Sequence, residues 1–116
     1  MILSSENLDD SNIPYLALSS IKGEDAAKKL ARELIGSQLA ACIQIIPKAI
    51  SVFVWQGKME EAEESLLLIK TRKNHLEALE RKVSELHPYE TPEFVCIELN
   101  SGSKEYLSWL IGNTAT

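Results

Sequence analysis

The strongest constraint in this chain is a hairpin far longer than most. Leu39 to Trp55 is rich in Ile, Val and Phe, Gln56-Gly57 supplies a turn, and the chain returns through polar Lys58–Glu64 into the apolar run Ser65–Thr71. Two β-capable runs flanking a short Gly-containing turn predict an antiparallel pair. Each arm can exceed about ten residues, roughly 35 Å if extended, where strands of ~5–6 residues are usual. Such a hairpin is expected to overhang its own domain. Pro47 removes a ladder donor, so the first arm is expected at a sheet edge, bent or bulged at that point.

The other elements arrange themselves around this hairpin. Pro14–Ser20 has strand character. Between Gly23 and Gly36, Ala26, Ala27, Leu30, Ala31, Leu34 and Ile35 fall at helical spacing, with Gly36 as the expected stop. Leu76, Leu79, Val83 and Leu86 mark a second helix from Lys73 to Leu86, with Asn74 near its cap and His75 expected in solvent. His87-Pro88 ends it, because the residue before proline is pushed out of the helical region. Glu93–Leu99 reads as a strand, Ser101-Gly102 as a break, and Lys104–Ile111 as a short last helix. Residues 1–12 are polar and aperiodic and are expected to form a loose tail, leaving 13–116 as one domain. The order β-α-β-β-α-β plus a terminal helix predicts an α+β, ferredoxin-like sandwich with both main helices on one sheet face.

Length and charge narrow the function classes. The 116 residues suffice for one core, and the formal charge is −5. An acidic chain is a poor match for nucleic acid, whose phosphates need a basic face. No apolar run approaches the ~20 residues of a membrane span. Cys42 and Cys96 are too few for a disulfide scaffold and sit in apolar strands, where packing is expected. Met1–Asn12 carries acidic residues without Lys or Arg, unlike a signal peptide, so the expected compartment is the cytoplasm.

Strand alternation points to partners. Helices can cover one sheet face, and that face should alternate with a polar one. Here Ile43 and Ile45 oppose Cys42, Gln44 and Ile46; Leu67 and Ile69 oppose Leu66 and Leu68; Val95, Ile97 and Leu99 oppose Phe94, Cys96 and Glu98. Both faces are apolar. A second apolar face needs a cover, either the terminal helix and tail or another subunit, and the overlong hairpin favours an oligomer.

The densest group of functional side chains is His87-Pro-Tyr-Glu-Thr-Pro-Glu93. Two prolines stiffen the loop, and imidazole with carboxylates suits a divalent transition metal such as copper or zinc. His87, Glu90 and Glu93 are the candidate ligands; a packed turn explains the same residues without a metal. The run Glu60, Glu61, Glu63, Glu64 reads as a solvated face, and Trp55, Tyr106 and Trp109 as interface or core anchors. Lys70, Arg72 and Lys73 form a basic cluster. The five glycines are isolated, GxSxG is absent and no nucleophile–base pair stands out, so no enzyme activity and no essential cofactor are expected.

Leu39-Ala-Ala-Cys-Ile-Gln-Ile-Ile-Pro47, Val54-Trp-Gln-Gly-Lys58, Leu68-Ile-Lys-Thr71, His87–Glu93 and Tyr106-Leu-Ser-Trp-Leu110 together resemble the CutA family of divalent-cation tolerance proteins, in order and spacing over Tyr15 to Leu110. The resemblance implies a ferredoxin-like subunit in a homotrimer, linked to tolerance of copper and other divalent cations. For members associated with copper it implies a Cys where this chain has Ser19, a His where it has Leu86, and a Glu that is kept as Glu93. Two of three ligands are therefore absent, and His87 and Glu90 are the substitutes. PII-type regulators share the trimeric architecture and bind small molecules between subunits. That alternative would use Lys70, Arg72 and Lys73 toward an anion.

Overall fold

A computed structural model describes residues 1–115. Its main sheet is built around the hairpin. Strand β3 runs Cys42–Trp55 and β4 runs Lys58–Arg72. Gln56 and Gly57 both take positive φ, 50° and 78°, in a two-residue turn between paired Trp55 and Lys58. That left-handed pair matches the twist of the flanking strands. The arms hold 14 and 15 residues, and they stretch the subunit to 45 × 25 × 22 Å.

Strand β2 (Pro14–Ile21) pairs with β4 and with β5 (Val95–Glu98), giving the antiparallel order β3-β4-β2-β5. Helix α1 (Glu24–Gly36) and helix α2 (Leu76–Leu86) supply the two crossovers. This is the ferredoxin-like arrangement. The core lies between these helices and one sheet face. Ala17, Leu67 and Ile69 from the sheet meet Ala27, Leu30 and Leu34 of α1 and Leu79 and Val83 of α2. Period-2 positions of the strands thus face period-3.6 positions of the helices.

Helix α1 stops differently from the expectation. Gly36 is still helical, and Gln38 takes the left-handed conformation at φ 60°. The Gln38 N–H donates to the Ile35 carbonyl at 2.9 Å and the Leu39 N–H to the Leu34 carbonyl at 3.2 Å. Those two bonds cap the last carbonyls, with Leu39 packed against the core, so the terminus does not require glycine.

The expected loose tail is instead built into the fold. Ile2–Ser4 (β1) pairs antiparallel with Ser101–Ser103 (β6), the segment expected to be only a break. Two short 3-10 turns, Ser5–Asn7 and Asp10–Asn12, lead into β2. Backbone pairing to a distant segment leaves no trace in local composition. Helix α3 (Lys104–Gly112) follows β6, with the Ser103 hydroxyl accepting from the Tyr106 N–H as its cap.

Leu107 and Leu110 of α3 are buried against the sheet near the ends of β2 and β4. The helix covers one end of the second face and leaves the rest open. Ile46, Val95 and Ile97 are each about half exposed, and Phe53 and Trp55, toward the hairpin end, are 41% exposed. Neither cysteine is in the core as expected: Cys42 is half-buried and Cys96 exposed, because each sits on an edge strand.

Candidate functional site

The β3 bulge determines which side chains can meet. Before it, Ile46 pairs with Leu66; after it, Ala49 pairs with Glu64, and Lys48 adopts φ 61°. Two residues, Pro47 and Lys48, stand opposite the single Ser65, and this one extra residue exchanges the two faces of β3. Odd positions Ser51, Phe53 and Trp55 therefore join even positions Ala62 and Glu64 of β4, on the face turned away from α1 and α2. Ser20 of β2 lies on the same face.

The loop 87–93 closes over this surface. Between loop and hairpin lies a cavity of about 650 Å³, walled by Phe53, Trp55 and Tyr89 and carrying Glu64, Glu90 and Glu93. Among the described residues no lysine, arginine or histidine lines it. The Tyr89 hydroxyl donates to Glu64 Oε2 at 2.7 Å. Its ring packs edge-on against His87, with centroids 4.5 Å apart and planes at 67°. Burial first, then the bond to the Glu64 carboxylate and its charge, push the Tyr89 hydroxyl up to about 12.

His87 is brought to the site but faces away from any cation. It is buried, its Nε2 is 2.7 Å from the Ser20 carbonyl oxygen, and its Nδ1 accepts from the Tyr89 N–H at 3.1 Å. A carbonyl can only accept, so Nε2 carries the proton and both nitrogens are committed. His87 is thus a positioning residue, and the expectation that it offers a lone pair to a metal is corrected. Glu90 and Glu93, by contrast, are exposed at the cavity.

The donor set does not suit a resident metal. Among the described residues no three His, Cys, Asp or Glu side chains converge on one point. Ser19 is fully buried on the helix side of the sheet, its hydroxyl without a partner, and Leu86 is exposed at the end of α2. Tight transition-metal sites need three or four converging N, S or O ligands. These residues do not fit one.

The other expected cluster also dissolves. The Arg72 Nε donates to Thr114 Oγ1 at 2.7 Å, its Nη1 to Asn12 Oδ1 at 2.6 Å and its Nη2 to the Ala115 carbonyl. Lys73 pairs with Asp10 at 2.8 Å, and Lys70 reaches the Tyr106 hydroxyl at 3.3 Å with its ammonium over that ring. His75, expected in solvent, is buried with Nε2 against the Ala115 carbonyl, because the C-terminal residues fold back over it.

Glu64 is the functional residue that local reading missed. In the sequence it belongs to an acidic run that reads as solvated, yet it is 6% exposed and faces the cavity. The signal that finds it is parity: Glu64, Leu66 and Leu68 share one face of β4.

The class so defined is a small α+β, ferredoxin-like subunit with an open apolar sheet face and an acidic, aromatic-walled cleft. The particular family follows from three comparisons. Residues 15–113 match the family model "CutA1 divalent ion tolerance protein". The divalent-cation tolerance protein CutA of Thermus thermophilus is 39% identical over 99 residues, 85% of this chain and 96% of that protein. The Yersinia pestis protein of the same name is 39% identical over 95 residues, covering 82% and 80%. Among solved structures, the Thermus thermophilus protein superposes with a TM-score of 0.86 at 38% identity, covering 89% of this chain and all of that one. CutA1 from Oryza sativa gives 0.88 at 34% identity, covering 92% and 98%. The chain belongs to the CutA1 divalent ion tolerance family.

Proposed function

We propose that this protein works as a cytoplasmic homotrimer in divalent-cation tolerance, attracting copper or zinc weakly through Glu90 and Glu93 and catalysing no reaction. One observation carries the cation reading: among the described residues, three carboxylates and no basic side chain line the cavity. Two exposed carboxylates hold a largely hydrated ion, so affinity is low and selectivity small. Their names link the relatives to divalent cations. The open face around Ile97 supports assembly, since contiguous apolar surface of this kind is normally covered. Tyr89, kept neutral by its surroundings up to about 12, is no base at physiological pH.

Calorimetric titration with copper and zinc salts tests the cation role. Weak saturable binding that falls on Glu93→Ala and persists in His87→Gln is expected. Tight binding unaffected by Glu93→Ala, or no saturable heat at all, overturns it. Light scattering tests the assembly: the expected mass is three times the 12.9 kDa subunit.

The alternative, a PII-like small-molecule module, gains from one specific observation. The cavity has the size and apolar walls of a small-ligand pocket. The anionic ligand expected for that reading loses its support, because Arg72 and Lys73 are engaged by other parts of the chain.

A further inference from the structure

We infer that the cavity between the loop 87–93 and the hairpin is a binding site for an organic cation, a quaternary ammonium or protonated amine of small size. The inference rests on the small-molecule reading above and reverses the sign of its ligand. It does not depend on metal binding.

The first ground is the wall chemistry. Phe53, Trp55 and Tyr89 all line one cavity of about 650 Å³. Aromatic faces attract cations through the ring quadrupole, Trp most strongly, and the attraction grows where water is excluded. A metal ion gains little from such walls, because it holds its water shell and demands oxygen or nitrogen donors. An alkylated ammonium is weakly hydrated and brings apolar surface of its own, which Phe53, Trp55 and Ala62 can cover.

The second ground is the charge. Glu64 is buried, and the neutral Tyr89 hydroxyl donates to it. Among the described residues the ion pairs are Lys28–Glu24 and Lys73–Asp10, so no cationic side chain of this chain answers Glu64. A buried carboxylate facing a cavity without a counter-charge favours a positively charged occupant. Glu90 and Glu93 add charge on the same lining.

The third ground is preorganisation. The Tyr89 ring is held by His87 against one part and by the Glu64 bond at its hydroxyl. His87 is itself fixed at both nitrogens. The Tyr89 wall stands in place before a ligand arrives, so little ordering cost remains.

The test compares two probes of one shape in calorimetry with the full chain. Choline carries a quaternary ammonium; 3,3-dimethylbutan-1-ol replaces its nitrogen by carbon and is neutral. Choline is expected to bind at least about tenfold tighter than the neutral alcohol, the size of one desolvated cation–aromatic contact. Glu93→Gln is expected to lower choline affinity several-fold and leave the alcohol unchanged. Equal binding of both probes overturns the charge inference while the small-molecule pocket stands. Binding of neither at millimolar concentration overturns both readings, as does an assembled structure with a lysine of a second copy seated in the cavity. The wild-type comparison decides the matter even if a variant fails to fold.

Discussion

Tyr89→Phe isolates the contact that joins the loop to the hairpin. The substitution keeps the ring on His87 and deletes only the hydroxyl that donates to Glu64 at 2.7 Å. A hydrogen bond to a charged acceptor contributes about 1.5–3 kcal/mol, and removing one partner leaves the other to bear its own desolvation. Glu64 is 6% exposed, so water recovers little of that loss. Tyr89 itself is half-buried, which argues for the middle of the range, about 2 kcal/mol. Urea unfolding at fixed protomer concentration should show the midpoint falling by roughly 1 M, for a slope of ~2 kcal/mol per molar. Adding Glu64→Leu removes the stranded carboxylate, and the double variant should recover part of the loss, because a fully apolar pair needs no bond. The pH dependence has a definite sign. Tyr89 has a folded value of about 12 against an ordinary 10.0, so the folded state holds this proton more tightly than the unfolded chain. Its contribution is complete below pH 10 and drains away as pH rises toward 12. Tyr89→Phe should lose that alkaline component. If the single variant is as stable as wild type, or if the double variant loses the sum of both singles, Tyr89 and Glu64 are not energetically coupled and the account of the loop is wrong.

Other perturbations probe different layers. Leu79→Ala opens a cavity at a fully buried core position under α2 and should cost about 2–5 kcal/mol in the same urea assay. Arg72→Met strips the donors from Thr114, Asn12 and Ala115. The Ala115 amide, which donates to the Gln38 carbonyl, should then exchange its hydrogen about tenfold faster or more, and Arg72→Lys should not restore protection because a point charge cannot replace the three-way fork. Ile97→Lys places a charge on the open face, where Ile97 is 48% exposed, and should shift the light-scattering mass to that of the monomer with the subunit fold intact by circular dichroism.

Much of this protein is legible in its residues, for local reasons. The hairpin follows from two β-rich runs around Gln56-Gly57, and the turn needs left-handed residues just there. Leu79 and Val83 announce the buried stripe of α2. The two prolines of the 87–93 loop mark a stiff segment of functional residues, and the motifs around it carry the family resemblance over most of the chain. The short-range terms, turn geometry, proline sterics and hydrophobic period, act within a few residues and therefore show in the order of letters.

What the tertiary structure alone decided is which side chains meet. Glu64 reads as one carboxylate of an exposed run until the bulge at Pro47-Lys48 exchanges the faces of β3 and sets Trp55 and Phe53 beside it. His87 reads as a ligand until its two nitrogens are found on Ser20 and Tyr89. His75 reads as surface and Arg72 as a contact for an anion until the C-terminal residues return over them, and residues 1–12 read as loose until Ile2–Ser4 finds Ser101–Ser103. Each of these outcomes depends on contacts between residues tens of positions apart. A register shift of one residue reverses the face of every side chain beyond it, and composition carries no record of that parity. The order of elements belonged to the sequence; the cavity, its acidic lining and the burial of Glu64 came from the fold that closes the loop onto the bulged strand.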